Sequence, residues 1–146
     1  MTNLFNLRGK AALVTGGNGG IGLGIASGLA QAGARVAIIA RNTAKSHAAA
    51  KALAEETGVT PLVLTADVSA PDQVAAVVGE AKNGLGRIDI LFNNAGISIR
   101  KLPQDLTPEE WHKVMDVNLT SAFLMSQAVY PHMKQTAAAR SSISAA

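Results

Sequence analysis

The residues whose types and spacing could do chemistry gather first in one short segment, Thr15-Gly16-Gly17-Asn18-Gly19-Gly20-Ile21-Gly22. A phosphate can approach a main chain only where side chains are missing, and a helix N-terminus adds free amides and a partial positive charge. Gly16, Gly20 and Gly22 would serve, in that order, a tight turn, close approach to a diphosphate and helix-on-strand packing. Glycine clusters usually just make turns; this one stands out because it joins a strand to a helix within a repeated pattern. The implied chemistry is dinucleotide binding. A second candidate is Arg41, just past the next apolar run. NAD sites place a carboxylate there for the ribose hydroxyls, whereas here Ala40 precedes Arg41 and no carboxylate is near. A guanidinium can clamp a 2′-phosphate that a carboxylate would repel. Arg41 therefore favours NADP(H), with NAD(H) as the alternative and a merely solvated arginine as the bland reading.

Positioning these groups requires a regular scaffold, and apolar runs do alternate with helical patterns. Ala11 to Val14 is a continuous apolar run that reads as a strand buried on both faces. A helix from about Gly20 to Gln31 is closed by Gly33, Arg35 to Ala40 is a second strand, and Thr43 to Thr57 is a helix stopped by Gly58. Pro61 to Ala66 is a third strand. Ser69 as N-cap and Pro71 in the first turn open the next helix, which ends near Gly84 or Gly86. Ile88 to Phe92 is a fourth strand, followed by Asn93-Asn94-Ala95-Gly96. Thr107-Pro108-Glu109-Glu110 spells a capping box, and the spacing of Trp111, Val114, Met115, Leu119 and Phe123 carries that helix to about Met133. Such alternation implies parallel strands, right-handed crossovers and a Rossmann-like, doubly wound α/β sheet, incomplete at about four strands. With no repeat and no linker, residues 1–136 form one nucleotide-binding domain, and residues 137–146 stand apart as an aberrant tail.

The spelling Thr-Gly-x-x-x-Gly-x-Gly at 15–22, Asn93-Asn94-Ala95-Gly96 after the fourth strand, and Asn118 within Met115-Asp116-Val117-Asn118-Leu119 together resemble the short-chain dehydrogenase/reductase family. The resemblance covers residues 5 to about 135. It implies an oxidoreductase that interconverts a small-molecule alcohol and a carbonyl by hydride transfer with a nicotinamide cofactor. It assigns Thr15, Gly16, Asn18, Gly20, Ile21 and Gly22 to the cofactor turn, and Asp67 and Val68 to the adenine ring. Asn94, Ala95 and Gly96 would shape the pocket floor, and Asn118 would belong to a proton relay. Taken singly, Asp67 could be only a strand-end cap, and Asn118 only a helix-kinking polar residue.

The other relay members of the family, a serine and a Tyr-x-x-x-Lys pair, follow a fifth strand. Tyr130-Pro131-His132-Met133-Lys134 fits the letters but is rejected. It ends the same helix, no strand intervenes to carry a serine, and the proline disturbs the helical spacing. Tyr130, His112 and His132 are expected at the surface. The cofactor-binding half is thus expected without its catalytic half, and a catalytically silent nucleotide-binding module or non-functional fragment is the alternative. Full-length relatives are homo-oligomers, and the opening Leu4 to Lys10 looks most like bacterial sugar-acid or 3-oxoacyl reductases.

The tail carries its own expectation. Family members run into wording such as Gly-Gly-Gly-Lys-Ile-Ile-Asn-Ile where this chain has Ala137-Ala138-Ala139-Arg140-Ser141-Ser142-Ile143-Ser144. Encoded GGC GGC GGC AAG ATC ATC AAT ATC G, the first string read one base later gives the second in full. The match requires that particular set of synonymous codons. The hypothesis is a frameshift near residue 135. Without a fifth strand, Ile88 to Phe92 would be an apolar sheet edge prone to self-association, visible by size-exclusion chromatography.

Composition narrows the field further. A chain of 146 residues, 48% hydrophobic and 16% charged, can build one core. No apolar run nears the ~18 residues of a membrane span, and the first ten residues lack the features of a signal peptide. A cytoplasmic location is expected. The absence of cysteine excludes thiolate zinc sites and disulfides. Thirteen basic residues, net charge +3, are scattered rather than striped, and aromatics are few, so nucleic acid is not an expected partner.

Overall fold

The computed structural model describes residues 3–136 and 140–143. Its strands are β1 (Ala11–Thr15), β2 (Arg35–Ala40), β3 (Leu62–Thr65), β4 (Ile90–Asn93) and β5 (Arg140–Ile143). Its α-helices are α1 (Gly20–Gln31), α2 (Thr43–Thr57), α3 (Pro71–Leu85), α4 (Pro108–Met115) and α5 (Ser121–Thr136). All strand pairs are parallel, in the order β3-β2-β1-β4-β5. The sheet is the doubly wound α/β arrangement that the alternation predicts. Thr15 pairs with Ile39, and Val14 with Phe92, so the carboxyl ends of the central strands form one rim.

Alternate residues of the central strands enter two cores, one on each face. Leu13, Ala37 and Ile39 pack with Val74, Val77 and Val78 of α3 and Met125 and Val129 of α5. Val14, Val36 and Ile38 pack with Ala26 and Ala30 of α1 and Leu53 of α2. Burial on both faces explains why these strands read as unbroken apolar runs. Asp89, 1% exposed, is locked in at the opposite end of the sheet. Its carboxylate accepts the Ala11 N–H at 2.9 Å and two bonds from Arg87 at 2.7 and 2.6 Å.

The structure corrects the sequence reading at three points. First, a fifth strand is present, in register from Ile90 with Arg140 to Asn93 with Ile143. The exposed edge expected at β4 is therefore covered along these residues, because an open edge offers N–H and C=O groups that a returning segment can satisfy. The rest of the proposed out-of-frame tail, residues 137–139 and 144–146, lies outside the described residues. Second, the residue capping α3 is Ala70, with no side-chain bond. The Ser69 hydroxyl donates instead to Asp67 Oδ1 at 2.6 Å.

Third, the last long helix is interrupted. A π-helical turn, Asp116–Thr120, separates α4 from α5. On these helices Trp111, Leu119 and Phe123 are 59%, 56% and 62% exposed, while Ala122, Met125, Val129 and Met133 are buried. The Thr107 capping box forms as its spelling requires, with Glu110 N–H on Thr107 Oγ1 and Thr107 N–H on Glu110 Oε2.

Candidate nucleotide-binding site

The corner between β1 and α1 exists only because of its glycines. Gly16 adopts φ +65° and Gly20 φ +53°, the left-handed region that side chains disfavour. A Cβ on Gly22 would lie 2.2 Å from the Gly16 carbonyl oxygen and 2.4 Å from Asn94 Nδ2, so α1 can approach the strand only with hydrogen at that position. Gly16 donates its N–H to Ile39 O at 2.8 Å, which fastens the turn to β2.

A polar clamp holds this corner to the end of β4. Thr15 Oγ1 accepts the N–H groups of Asn94 and Ala95, each at 3.0 Å, and donates to Phe92 O at 3.4 Å. Asn94 Nδ2 donates to Gly16 O at 3.3 Å. On the opposite side Asn18 Nδ2 reaches the buried Ser46 hydroxyl at 3.1 Å, and that hydroxyl donates to Asn42 O at 2.9 Å. The glycine loop is thereby tied to α2 as well.

Between these anchors, at the carboxyl ends of the strands, lies an open cleft of about 860 Å³. The switch point between β1 and β4, where strand order reverses, is where open α/β sheets bind ligands. The cleft brings together Gly16, Asn18, Ile21, Arg41, Asp67, Val68, Asn94, Ala95 and Gly96 from the sequence-derived set. Thr15 and Gly22 act from behind it, through the clamp and the packing just described. Gly20 has open space where a side chain would be. Sequence reasoning missed Asn42, Lys45, Ile97 and Val117, which also line the cleft. Asn42 could have been found, since its Oδ1 caps α2 by accepting the Lys45 N–H at 2.9 Å.

Asp67 has its carboxyl held below the usual carboxylate range, first by bonds from the Ser69 hydroxyl and N–H, with a contribution from the Arg41 charge; burial opposes these. It is ionised at neutral pH and already spends Oδ1 on its own loop. Asn118 sits in the π-helical turn. Its Oδ1 accepts the Ile97 N–H at 2.7 Å and its Nδ2 donates to Ile97 O at 2.9 Å. A side chain committed at both ends to one peptide segment is a positioning group for the cleft wall. A neighbouring hollow of about 450 Å³ shares Arg41, Asp67 and Val117 and is rimmed by Glu109, His112 and Lys113. Tyr130, 61% exposed, lines neither. No cluster of three metal-ligating side chains occurs among the described residues, and none of their helices is long and apolar enough to cross a membrane.

Comparison with known proteins agrees with this geometry. The family model described as short chain dehydrogenase matches residues 10–143, a stretch that runs beyond 135 and takes in β5. The gluconate 5-dehydrogenase of Gluconobacter oxydans is 40% identical over 131 residues, 90% of this chain and 51% of that protein. A probable galactose dehydrogenase of Rhizobium meliloti is 38% identical over 130 residues, 89% of this chain and 51% of that protein. The L-sorbose reductase of Gluconobacter frateurii, solved with NADPH and L-sorbose, superposes with a TM-score of 0.84 at 34% identity over 90% of this chain and 50% of its own. The chain spans about half the length of the curated relatives it matches. On the match of residues 10–143 it belongs to the short-chain dehydrogenase/reductase family of oxidoreductases.

Proposed function

We propose that this chain is the cofactor-binding part of an NADP(H)-dependent oxidoreductase that interconverts a small-molecule alcohol and a carbonyl. The observation that carries the reading is the glycine corner opening onto a cleft with Arg41 at its lip and no carboxylate at the end of β2. A diphosphate fits a corner that is bare at Gly20 and cannot accept a Cβ at Gly22. When bound, a nicotinamide dinucleotide supplies or takes up the hydride. The chain's residues bind and orient it. The main chain of 16–22 holds the diphosphate, Asp67 and Val68 meet the adenine, and Arg41 takes the 2′-phosphate. Asn94, Ala95 and Gly96 form the floor, and Asn118 keeps the wall at Ile97 in place.

Fluorescence titration with NADPH and NADH tests the binding; a chain that binds neither refutes it. A panel of ketoses, keto-sugar acids and 3-oxoacyl thioesters then tests turnover. A catalytically silent binding module is the second reading, favoured by Asn118 being spent on Ile97 and by Tyr130 lying outside the cleft. Binding without turnover supports it, and turnover refutes it. The proposal includes the change of reading frame near residue 135. Read in the other frame beyond that codon, the gene should yield a serine and a Tyr-x-x-x-Lys; their absence rejects it.

A further inference from the structure

The cleft contains a second cation that glycine spacing does not announce. Lys45 stands in the first turn of α2, in the same turn-to-helix segment as Arg41 and Asn42. Its side chain folds back over the glycine loop. A Cβ built on Gly19 would lie 2.9 Å from Lys45 Nζ and 3.0 Å from Cε. Gly19 has φ 178°, extended backbone open to any residue, so its backbone does not demand glycine. The missing side chain at position 19 instead leaves room for the ammonium. Among the described residues neither Lys45 nor Arg41 forms an ion pair or side-chain hydrogen bond. The acid in the cleft is Asp67, whose Oδ1 takes both bonds from Ser69.

With the single Asp67 carboxylate against Arg41 and Lys45, the cleft keeps an excess of positive charge that an anionic ligand would balance. The charge of the ligand indicates which anion. A phosphate monoester carries roughly −1.5 to −2 charges at pH 7, more than one guanidinium can balance. We infer that Lys45 is a second specificity-determining residue, which with Arg41 binds the 2′-phosphate of NADP(H) from the glycine-loop side. This rests on the NADP(H) reading above and deepens it.

The test uses the full chain, titrated with NADPH and NADH and with adenosine 2′,5′-bisphosphate and 5′-AMP as competitors. Lys45→Ala should weaken NADPH and the bisphosphate by about tenfold, the loss of one charge-assisted hydrogen bond. NADH and 5′-AMP should be nearly unchanged. Lys45→Arg should retain the preference for NADPH. Equal weakening of both cofactors by Lys45→Ala would place the ammonium on the diphosphate and overturn the inference. A wild-type preference that survives Lys45→Ala intact overturns it alone, leaving the NADP(H) reading in place. A wild-type chain with no preference for NADPH overturns both, and that is seen before any substitution is made.

Discussion

Replacing Gly22 by alanine sets two effects of opposite sign against each other. In a helix interior the exchange is favourable by about 0.5–1 kcal/mol, because glycine loses more backbone freedom on folding. At this position, however, the new methyl would lie 2.2 Å from Gly16 O, 2.8 Å from Gly16 C and 2.4 Å from Asn94 Nδ2. Two of these three atoms are main chain in a turn held by Ile39 and Asn94, so they cannot rotate away as a flexible side chain would. Overpacking of this kind costs roughly 1–3 kcal/mol and exceeds the helix gain. Gly22→Ala should therefore lower the urea midpoint at unchanged m-value and abolish measurable NADPH binding. Gly24 and Gly28 of the same helix serve as controls, since a Cβ there meets nothing within 4 Å. Their alanine variants should raise the midpoint, reflecting a stability gain of up to about 1 kcal/mol each. A Gly22→Ala protein as stable as those two, with NADPH affinity unchanged, would refute the geometry assigned to the corner.

Thr15→Val nearly preserves shape but removes the acceptor for the Asn94 and Ala95 N–H groups; it should cost about 2 kcal/mol and weaken NADPH binding. Burial pushes the Asp89 carboxyl up, but bonds from Arg87 and the Ala11 N–H and the charges of Arg87 and Lys10 outweigh it and hold the group below its ordinary value. Its contribution is thus present above the unfolded value, about pH 3.9, and is lost as pH falls through the lower folded value. Asp89→Asn should cost about 2–3 kcal/mol at pH 7 through weakened charge-assisted hydrogen bonds, and denaturation at stepped pH should show the gap to wild type closing only in that acid range. Asn118→Ala removes both bonds to Ile97 and should destabilise by about 1–2 kcal/mol. It should weaken NADPH and NADH alike, because the proposed 2′-phosphate contacts are Arg41 and Lys45 and not the Ile97 segment.

The parts of the site legible in the sequence are those fixed by local constraints. A positive φ at Gly16 and a forbidden Cβ at Gly22 leave glycine as the one workable residue, so spacing alone exposes the corner. Arg41 was readable because it follows a strand whose end is marked by an unbroken apolar run. Lys45 was not, since nothing local says that its ammonium crosses to Gly19. Ser69 misled for a related reason. A serine two residues before a proline suits a helix cap, yet the nearby Asp67 carboxylate competes for its hydroxyl and N–H and wins. Helical spacing likewise cannot tell which stripe meets the sheet. The run through Trp111, Leu119 and Phe123 was as periodic as Met125, Val129 and Met133, and only the packing of α3 and α5 against the strands selects the second. Strand β5 depends on the neighbouring edge of β4 more than on its own weak apolar content.

What would make a binding site of this glycine loop is the hydrogen bonding behind it rather than the loop itself. The N–H groups of Asn94 and Ala95 point at Thr15 Oγ1, not into the cleft, so the floor is set before any ligand arrives. The glycine loop is held from the other side through Asn18, Ser46 and Asn42. A ligand entering between two anchored walls orders little additional chain, and more of its contact energy remains as affinity. The same anchoring makes the cleft intolerant. Because Gly16 is at once the turn, the partner of the Asn94 side-chain amide and the neighbour of Gly22, a change at any of the three is transmitted to the others through these close contacts.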